Sequence, residues 1–296
     1  MKKTIFSQIL YSEKWGNLKR KWYKFSRNPL SIIGLIIVSI ILFFAVFAPF
    51  LTVHPEAVSK YVNFSEAKQL PSLRYPFGTD IYGRDIFTRV IYAFRISLLM
   101  SGVVILIAAP IGVILGVIAG YFYNKWISIL IMRTTDVFLS IPPLILALSI
   151  CSILPRNLLT TMMALSLLWW TWYCRMLYGL VTSIRGEFFI KSAELIGAGK
   201  LHILFNEIIP NCLSVIITKM TLDVGAIILI GSSLSFVGFG AQPPTPDLGG
   251  MIASGVQYLP DAWWMSVFPS INLLVLVLGF NLLGDGIYDM LTVGRG

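Results

Sequence analysis

The residues that come nearest to a catalytic motif are Gly197 to Lys200, with the sequence GAGK. A Gly-Lys pair ends the phosphate-binding loop of many nucleotide hydrolases, in which backbone amides wrap the phosphates. That loop also needs a glycine five places before the pair and a Ser or Thr after the lysine to hold magnesium. Glu194 and Leu201 occupy these two positions. The sequence therefore predicts no nucleotide-binding loop here.

Other candidate sites for chemistry are equally incomplete. The sequence GFG at Gly238 to Gly240 lacks the preceding strand and the third glycine of a dinucleotide-binding turn. The two histidines and three cysteines do not have the spacing of a metal site or a disulfide framework. They are His54, His202, Cys151, Cys174 and Cys212. We expect no catalytic residue, no metal site and no cofactor in this chain.

The composition indicates a membrane protein. The 296 residues are 56% hydrophobic and 12% charged, with a mean hydropathy of +0.80, which is too apolar for a soluble domain. Six windows have about 20 residues nearly free of charge, which is the length that a helix needs to cross about 30 Å of hydrocarbon. They lie near residues 30–51, 96–120, 133–154, 158–178, 213–237 and 266–284. The expected fold is an all-α polytopic membrane protein with six transmembrane helices.

Lysine and arginine predict the orientation, because they are retained on the cytoplasmic side during insertion. Eight of them precede the first window, so we expect a cytoplasmic N-terminus and, with six spans, a cytoplasmic C-terminus. Residues 238–265 contain neither lysine nor arginine and are expected outside. Residues 52–95 also fall outside despite six basic residues, since long loops follow the charge rule poorly. The net charge of +9 thus indicates topology and contact with membrane lipids rather than nucleic acid binding.

The loop between the fourth and fifth windows is expected in the cytoplasm. From Gly186 to Asn211 it reads GEFFIKSAELIGAGKLHILFNEIIPN. Apolar residues recur at helical spacing before Gly197 and Gly199, and a second apolar run ends at Pro210. This pattern predicts two short helices joined by a glycine turn. Their apolar residues would need either a protein partner or a position on lipid headgroups, and composition does not decide between the two.

Small residues repeat every fourth position along the second window. Such a ridge allows another helix to approach closely. The approaching helix belongs either to this chain or to a second subunit. The ridge consists of Ala108, Gly112, Gly116 and Gly120.

Prolines predict two irregular positions. Pro142 and Pro143 should break or kink the third span, because each removes a helical hydrogen bond, and the break is a candidate hinge. A second group follows the fifth span in the stretch FVGFGAQPPTPDLGG, where Pro243, Pro244 and Pro246 should form a stiff connector at the outer face before a bend at Gly249 and Gly250.

Acidic residues inside the spans need partners, because charge is costly in lipid. We expect Asp136 to pair with Arg133 or another basic neighbour. Asp223 lies about two turns into the fifth span. It either makes a structural hydrogen bond to a neighbouring helix or faces a pathway.

The cytoplasmic loop resembles the "EAA" loop of permease subunits of ATP-binding cassette importers. The resemblance is carried by Ser192-Ala193, by Gly197 four residues after Ala193, and by Ile208-Ile209-Pro210-Asn211. Lys191 stands in place of the glutamate that names the loop, and Glu207 in place of a frequently apolar residue. In that family the loop contains the coupling helix, which docks on a separate ATPase subunit. The resemblance assigns this coupling role to Lys191, Ser192, Ala193, Glu194, Gly197, Ala198, Gly199, Ile209 and Pro210.

Four further segments are similar to the second permease of the dipeptide, oligopeptide and nickel importers, and they occur in the order of that branch. They are FGTDIYGRDIFTRVIYAFRISL, AGYFYNKWISILIMRTTDVFLSIPPLILAL, LSFVGFGAQPPTPDLGGMI and FNLLGDGIYDML. The tail from Thr292 to Gly296 replaces the more basic ending usual in the branch.

The resemblance implies a multi-pass protein of the bacterial cytoplasmic (inner) membrane that moves peptides, nickel or a metal chelate. Its implied partners are a homologous permease in a heterodimer, two ATP-binding cassette ATPase subunits and an extracytoplasmic substrate-binding protein. ATP and magnesium would be bound by the ATPase subunits. Pro142, Pro143, Asp223, Pro243 and Pro244 are candidates for the pathway or its gate. The main alternative function is an ion-coupled secondary transporter, which should show an internal repeat and ion-binding groups at mid-membrane.

These expectations divide the chain into five parts. Residues 1–29 form a cytoplasmic N-terminal segment, residues 30–51 the first transmembrane helix, and residues 52–95 an external loop with an amphipathic segment. Residues 96–288 form a five-helix permease core that includes the cytoplasmic coupling loop 181–212, and residues 289–296 form a cytoplasmic tail.

Overall fold

The part of the chain that the computed structural model describes, which is Lys19 and residues 22–291, is predominantly helical and contains no β-strand. Its main helices are α1 (Pro29–Leu51), α2 (Ile86–Tyr121), α3 (Trp126–Leu139), α4 (Pro143–Ile153), α5 (Leu158–Ile184), α6 (Phe188–Leu195), α7 (Lys200–Phe236), α8 (Leu248–Val256) and α9 (Trp264–Leu291). Two 3₁₀ turns, Pro55–Val58 and Phe64–Glu66, lie between α1 and α2. The expected N-terminal segment and tail fall partly outside the described residues.

Four of these helices are long and apolar enough to cross a membrane, namely α1, α2, α7 and α9. A fifth crossing is available if α3 and α4 together form one bent span. Helix α5 has 27 residues, enough to span, but Thr, Ser, Tyr and Trp dilute its apolar character. The all-helical prediction is confirmed for the described residues, with four to five candidate spans, whereas the count of six stays a prediction.

Helix α2 begins ten residues earlier than the predicted span, within the segment expected to be an external loop. The carboxylate of Asp85 accepts hydrogen bonds from the backbone N–H groups of Phe87 (3.3 Å) and Thr88 (3.0 Å). An aspartate that satisfies the first free N–H groups is a strong helix start. Residues 86–95 are therefore the first turns of α2. Helix α9 likewise extends to Leu291, past the predicted boundary at 288.

The third predicted span is broken at the prolines. Helix α3 ends at Leu139, α4 begins at Pro143, and the two axes differ by 85°. Pro142 occupies the N-cap position of α4, with φ −53° and ψ 130°, outside the helical region. Proline lacks the N–H that would continue α3, so the chain turns here as the sequence predicts.

The small-residue ridge of α2 packs against α5 of the same chain. A Cβ atom added to Gly116 would lie 2.6 Å from the carbonyl oxygen of Cys174, and one added to Gly120 would lie 2.6 Å from Cβ of Val181. Gly112 faces Trp170 just as closely, and Ala108 is fully buried in the same core. The ridge therefore brings two helices of one chain together, which decides the alternative left open by the sequence.

Helix α1 joins the bundle through α9. Gly34 of α1 lies against the backbone of Leu283, and Gly279 of α9 lies against Ile37. Val38, Ile41 and neighbouring residues of α1 are buried in a second apolar core that also contains the first turns of α2. The outer face of α1 is apolar and exposed, as expected of a helix that contacts lipid.

Candidate functional site: the two ends of helix α2

Two groups of candidate functional residues lie at opposite ends of α2. Arg89, in the first turn, hydrogen-bonds to the carbonyl oxygen of Pro244 in the proline-rich loop (3.3 Å). Tyr121, the last residue, donates a hydrogen bond to Glu194 of α6 (2.9 Å). A helix of 36 residues is about 54 Å long at 1.5 Å per residue. The proline-rich loop and the predicted coupling loop are thus separated by more than the thickness of a bilayer core.

The predicted coupling loop contains the expected glycine turn. Helix α6 ends at Leu195, Gly197 has a φ of +82°, and α7 begins at Lys200. The N–H of Ala198 donates to the carbonyl oxygen of Ala193 (3.0 Å), which caps α6. Glycine is favoured at a positive φ because it has no Cβ atom. The sequence therefore positions a sharp turn between the two helices.

The second helix of the loop does not end at Pro210, and this prediction is wrong. Helix α7 continues to Phe236. The stretch Ile203–Ile208, which precedes the proline, is π-helical. Proline has no N–H to donate, and its ring clashes with the carbonyl four residues before it in a regular helix. A wider π turn relieves that conflict, so the coupling loop continues directly into a long helix.

One face of the loop is anchored and the other is exposed. Ile190, Ala193 and Ile203 are buried in the main apolar core. The apolar side chains on the other face are largely exposed, and we call them the loop patch: Phe188 (86%), Leu195 (88%), Ile196 (85%) and Leu201 (71%). Lys191, Ser192, Gly197 and Gly199 are exposed beside the patch. Exposed apolar residues grouped in this way mark an interaction surface.

Polar contacts hold the loop against the end of α2. Besides the bond between Tyr121 and Glu194, the ammonium group of Lys200 lies 5.6 Å from the ring centroid of Phe122. Both contacts join the loop to the residues where α2 ends.

At the opposite end of α2, residues 52–85 fold over the bundle. The carboxylate of Asp80 accepts hydrogen bonds from the N–H groups of Tyr82 (2.8 Å) and Arg84 (2.9 Å) and pairs with Nε of Arg84 (2.7 Å). Gly83 has a φ of +75° and packs on Asn63. These contacts fix a tight turn just before α2.

Arg89 ties this segment to the proline-rich loop. Its side chain is 6% exposed, and its Nη1 donates to the carbonyl oxygens of Ala57 (2.9 Å) and Pro244 (3.3 Å). The carboxylate of Asp80 lies 4.0 Å from its Nε. A buried guanidinium needs both hydrogen bonds and a counter-charge. The arginine holds the two segments together by contacting both.

The proline-rich loop runs from the end of α7 to α8. Asp247 caps α8 by accepting a hydrogen bond from the N–H of Gly250 (3.0 Å). Burial raises the pKa of the Asp247 carboxyl, while hydrogen bonds from Gly250 and Ser235 act in the opposite direction. Gly249 and Gly250 lie inside α8, so the predicted bend at these residues is wrong. The absence of a side chain at Gly249 instead allows α8 to contact the backbone of Ser232 in α7.

A cavity of about 600 Å³ lies between these segments. This volume is within the range that small ligands occupy. Pro243 and Pro244 form part of its wall, as do the α8 residues Met251 and Ser254. Its ionisable lining residues are Lys60, Asp80, Arg84, Arg89, Asp247 and the tyrosines Tyr61, Tyr82 and Tyr258. Within the described residues, no group of three or more His, Cys, Asp or Glu side chains could hold a metal ion.

Two acidic residues of the spans, Asp136 and Asp223, have basic partners. Asp136 of α3 contacts Nη2 of Arg175 in α5, and Arg133 is 4.0 Å away. Asp223 pairs with Lys219 one turn earlier in α7. The expectation of a basic neighbour is met for Asp136. Sequence reasoning missed the contribution of Arg175 and Lys219, although the Lys219-Asp223 spacing of four is a recognisable helix pair.

Comparisons with known proteins identify the family to which this chain is similar. Residues 112–293 match the family described as binding-protein-dependent transport system inner membrane component. Residues 17–71 match the N-terminal TM domain of oligopeptide transport permease C. The chain is 40% identical to the dipeptide transport system permease protein DppC of Alkalihalophilus pseudofirmus, over 90% of this chain and 86% of that protein.

Two relatives from Escherichia coli have lower sequence identity to this chain. The probable D,D-dipeptide transport system permease protein DdpC is 35% identical over 91% of this chain and 89% of its own length. The glutathione transport system permease protein GsiD is 35% identical over 91% of this chain and 88% of its own length. The chain therefore belongs to the family of binding-protein-dependent transport system inner membrane components, as a multi-pass permease of the dipeptide and oligopeptide C type.

Proposed function

We propose that this chain is a permease subunit of an ATP-driven importer of peptides. It forms the translocation pathway with a second, homologous permease and is coupled to two separate ATPase subunits. The observation that carries the proposal is the pairing of two surfaces by α2, with the exposed loop patch at one end and the cavity at the other. A transporter that is driven by ATP hydrolysis in separate subunits requires a connection between its ATPase-binding surface and the gate of its pathway.

The proposed topology has six crossings formed by α1, α2, the bent pair α3–α4, α5, α7 and α9. Both termini and the loop patch are then cytoplasmic, and the cavity is extracytoplasmic. The concentration of lysine and arginine before α1 supports this orientation. So does the segment 238–265, which lacks both residue types and contributes to the cavity wall.

The loop patch is the proposed contact with an ATPase subunit. Helix α6 is short, and its exposed apolar residues fit the helix-in-groove mode of recognition. ATP and magnesium are bound by the ATPase subunits, whose movement displaces α6 and, through Glu194 and Tyr121, the end of α2. The pathway thereby changes between inward-facing and outward-facing states. A substrate-binding protein delivers substrate at the cavity.

Peptides are the proposed substrate class because the relatives are named as permeases for dipeptides, D,D-dipeptides and glutathione. Glutathione is itself a peptide, so the three names share one chemistry. No feature of the described residues favours the nickel or metal chelate alternative. Peptide uptake is therefore the activity to measure first.

The coupling assignment is tested with two glycine variants in the reconstituted complex. Gly197→Val forces a β-branched residue into a positive φ, which costs on the order of 1–3 kcal/mol. Gly186→Val is the matched control, because Gly186 has no positive φ, has open space around it and is not one of the assigned coupling residues. We expect Gly197→Val to release ATPase subunits and to lose uptake and stimulated ATP hydrolysis together, while Gly186→Val retains them.

Two results would contradict the proposal. If both variants behave as the unmodified protein does, the loop is not the coupling element. If the unmodified chain takes up peptide down an ion gradient without any ATPase subunit, it is an ion-coupled secondary transporter.

A further inference from the structure

A group of charged side chains lies partway along three of the helices, away from both surfaces described above. Asp136 of α3 contacts Nη2 of Arg175 in α5. Arg133, one turn before Asp136, has its Nη1 4.0 Å from the same carboxylate. Three charged groups are thus held together by two helices.

A second pair on α7 joins this group through an aromatic ring. The ammonium group of Lys219 contacts the carboxylate of Asp223 and lies 5.9 Å from the ring centroid of Trp172 in α5. Trp172 precedes Arg175 by three residues, so both project from one face of α5. We call Arg133, Asp136, Trp172, Arg175, Lys219 and Asp223 the charged cluster. It links three helices.

Two basic residues of the charged cluster, Lys219 and Arg175, lie far from the ends of their helices. Lys219 is 19 residues from the start of α7 and 17 residues from its end, which is near the middle of the helix. Arg175 is nine residues before the end of α5, about 14 Å at 1.5 Å per residue. With α7 crossing the membrane, Lys219 and Asp223 fall within the hydrocarbon region rather than at its surface.

The side chains of the charged cluster differ in exposure, and most of the exposed ones are positively charged. Arg133, Arg175 and Lys219 have side chains that are 81%, 46% and 28% exposed. Asp136 is 41% exposed, whereas Asp223 is 3% exposed behind Lys219. The accessible face therefore carries three cations and one carboxylate. Charges at such depth cost several kcal/mol or more against lipid, so this face borders water or protein.

We propose that the charged cluster lines the translocation pathway and binds the terminal carboxylate of a peptide in transit, with Arg175 as the main contact. The inference rests on the proposed function and deepens it. Every linear peptide with a free C-terminus carries this carboxylate whatever its side chains, so the contact suits a transporter of varied peptides. The guanidinium group is the side chain best suited to hold a carboxylate in two parallel hydrogen bonds.

Asp136 gives the site a means of release. It contacts Arg175 directly and therefore competes with the substrate carboxylate for the same guanidinium group. Passage through a membrane requires binding that is favourable enough for entry and weak enough for exit. An internal competitor meets that requirement without a large movement of either helix.

Accessibility is the first test. Trp172→Cys is introduced with Cys151, Cys174 and Cys212 replaced by serine, and the complex with its partner subunits is exposed to an anionic methanethiosulfonate reagent. Leu167→Cys is the matched control, because Leu167 is also exposed on α5 but lies about 140° around the helix at 3.6 residues per turn. We expect labelling at position 172 in at least one nucleotide state and none at position 167. No labelling at position 172 in any state would show that the cluster is not accessible from water, which overturns the proposal.

Protection by ligand is the second test, and it addresses the chemistry of the occupant. Dialanine and dialanine amide are applied to the Trp172→Cys complex without a substrate-binding protein, so that the selectivity of that protein does not enter. Dialanine should slow the labelling and its amide should not. Adding Arg175→Gln should raise the dialanine concentration needed for protection about tenfold, as expected when a charge-assisted hydrogen bond is lost. Arg175→Lys should retain part of the protection by dialanine, because lysine keeps the positive charge.

Equal protection by dialanine and its amide, or protection unaffected by Arg175→Gln, would overturn the carboxylate assignment. If Arg175→Gln alone prevents assembly, Arg175→Gln with Asp136→Asn removes the unpaired carboxylate and allows the same measurement. A measurement of ATP-dependent peptide uptake by the unmodified complex distinguishes failure of the carboxylate site from failure of the proposed function. Uptake with no protection contradicts the role of the cluster alone, whereas loss of uptake contradicts the proposed function.

Discussion

Individual buried polar residues position the segments around the cavity. Arg89 joins two loops through backbone carbonyl oxygens, and Asp247 caps α8 beneath the proline-rich loop. Both side chains are buried, and each has specific hydrogen-bond partners. Buried polar groups with satisfied partners favour one arrangement of the backbone over others. The shape of the cavity thus depends on a few residues that do not belong to a regular packing pattern.

The cap at Asp247 allows a prediction about charge. Asp247→Asn keeps a side-chain oxygen for the N–H of Gly250, so the free energy of unfolding should change little, whereas Asp247→Ala should lower it by about 1 kcal/mol. The folded pKa of Asp247 is raised by burial, so the fold favours the protonated form. Its contribution to stability is present at low pH and is lost as the pH rises through the folded pKa.

Thermal unfolding in detergent tests this prediction. The stability of the unmodified protein relative to Asp247→Asn should increase as the pH falls from neutral toward 3.8, the ordinary value for this carboxyl. A relative stability that falls on acidification would mean that Asp247 is held as a carboxylate, and the assigned cause of the pKa shift would be wrong.

Among the helices, α2 and α5 have the most extensive contact, and glycine makes it possible. Gly116→Leu should prevent this contact, because a Cβ atom there would lie 2.6 Å from the backbone oxygen of Cys174. Gly102→Leu in the same helix is the matched control, since a Cβ atom at Gly102 would have no other atom within 4 Å. We expect loss of folded protein or of assembly for Gly116→Leu, measured by size-exclusion chromatography of the complex. Normal assembly of both variants would show that the ridge contact is dispensable.

Local sequence signals predicted the turns and helix breaks wherever one residue type determines the backbone conformation. Gly197 predicted the coupling turn because its positive φ favours glycine, and Pro142 with Pro143 predicted the break between α3 and α4. Pro210 was misleading, because the π turn before it allows the helix to continue. The start of α2 was placed too late since the capping role of Asp85 was not used.

Features that depend on contacts between distant segments could not be predicted in this way. Trp172 has an ordinary position in an apolar helix, and only the packing of α5 on α7 brings it beside Lys219. Arg175 and Asp136 are 39 residues apart and meet because α3 lies against α5. The cavity likewise combines three segments with no common sequence pattern. Tertiary proximity, rather than local propensity, creates both the charged cluster and the cavity.

At the scale of the whole molecule, α2 connects the loop patch to the cavity, and the charged cluster lies among the helices that pack around it. In the proposed mechanism, movement of α6 acts on the end of α2 through the hydrogen bond between Glu194 and Tyr121. Because α2 and α5 have backbone contact along the glycine ridge, α5 and its residues Trp172 and Arg175 should move with α2. A single displacement can therefore alter the coupling loop and the proposed carboxylate site together.

This arrangement requires the two ends of α2 to lie on opposite sides of the membrane. Thr245→Cys, in the proline-rich loop, and Lys200→Cys, at the start of α7, are both exposed positions and are introduced singly with the three native cysteines replaced by serine. An impermeant maleimide added to intact cells should label Thr245→Cys and should label Lys200→Cys only after the membrane is opened. The physical reason is the length of α2, about 54 Å at 1.5 Å per residue, compared with a hydrocarbon core of about 30 Å.

Glu207→Cys is a second cytoplasmic reporter, since it lies on the same helix as Lys200 within two turns. It should share the labelling pattern of Lys200→Cys, whereas Gln242→Cys should share that of Thr245→Cys. If the cysteines at 200 and 245 were labelled from the same side, α2 could not span the bilayer with its two ends separated. The six-span topology, the cytoplasmic position of the loop patch and the proposed transmission through α2 would then all be wrong, because each of them depends on that single crossing.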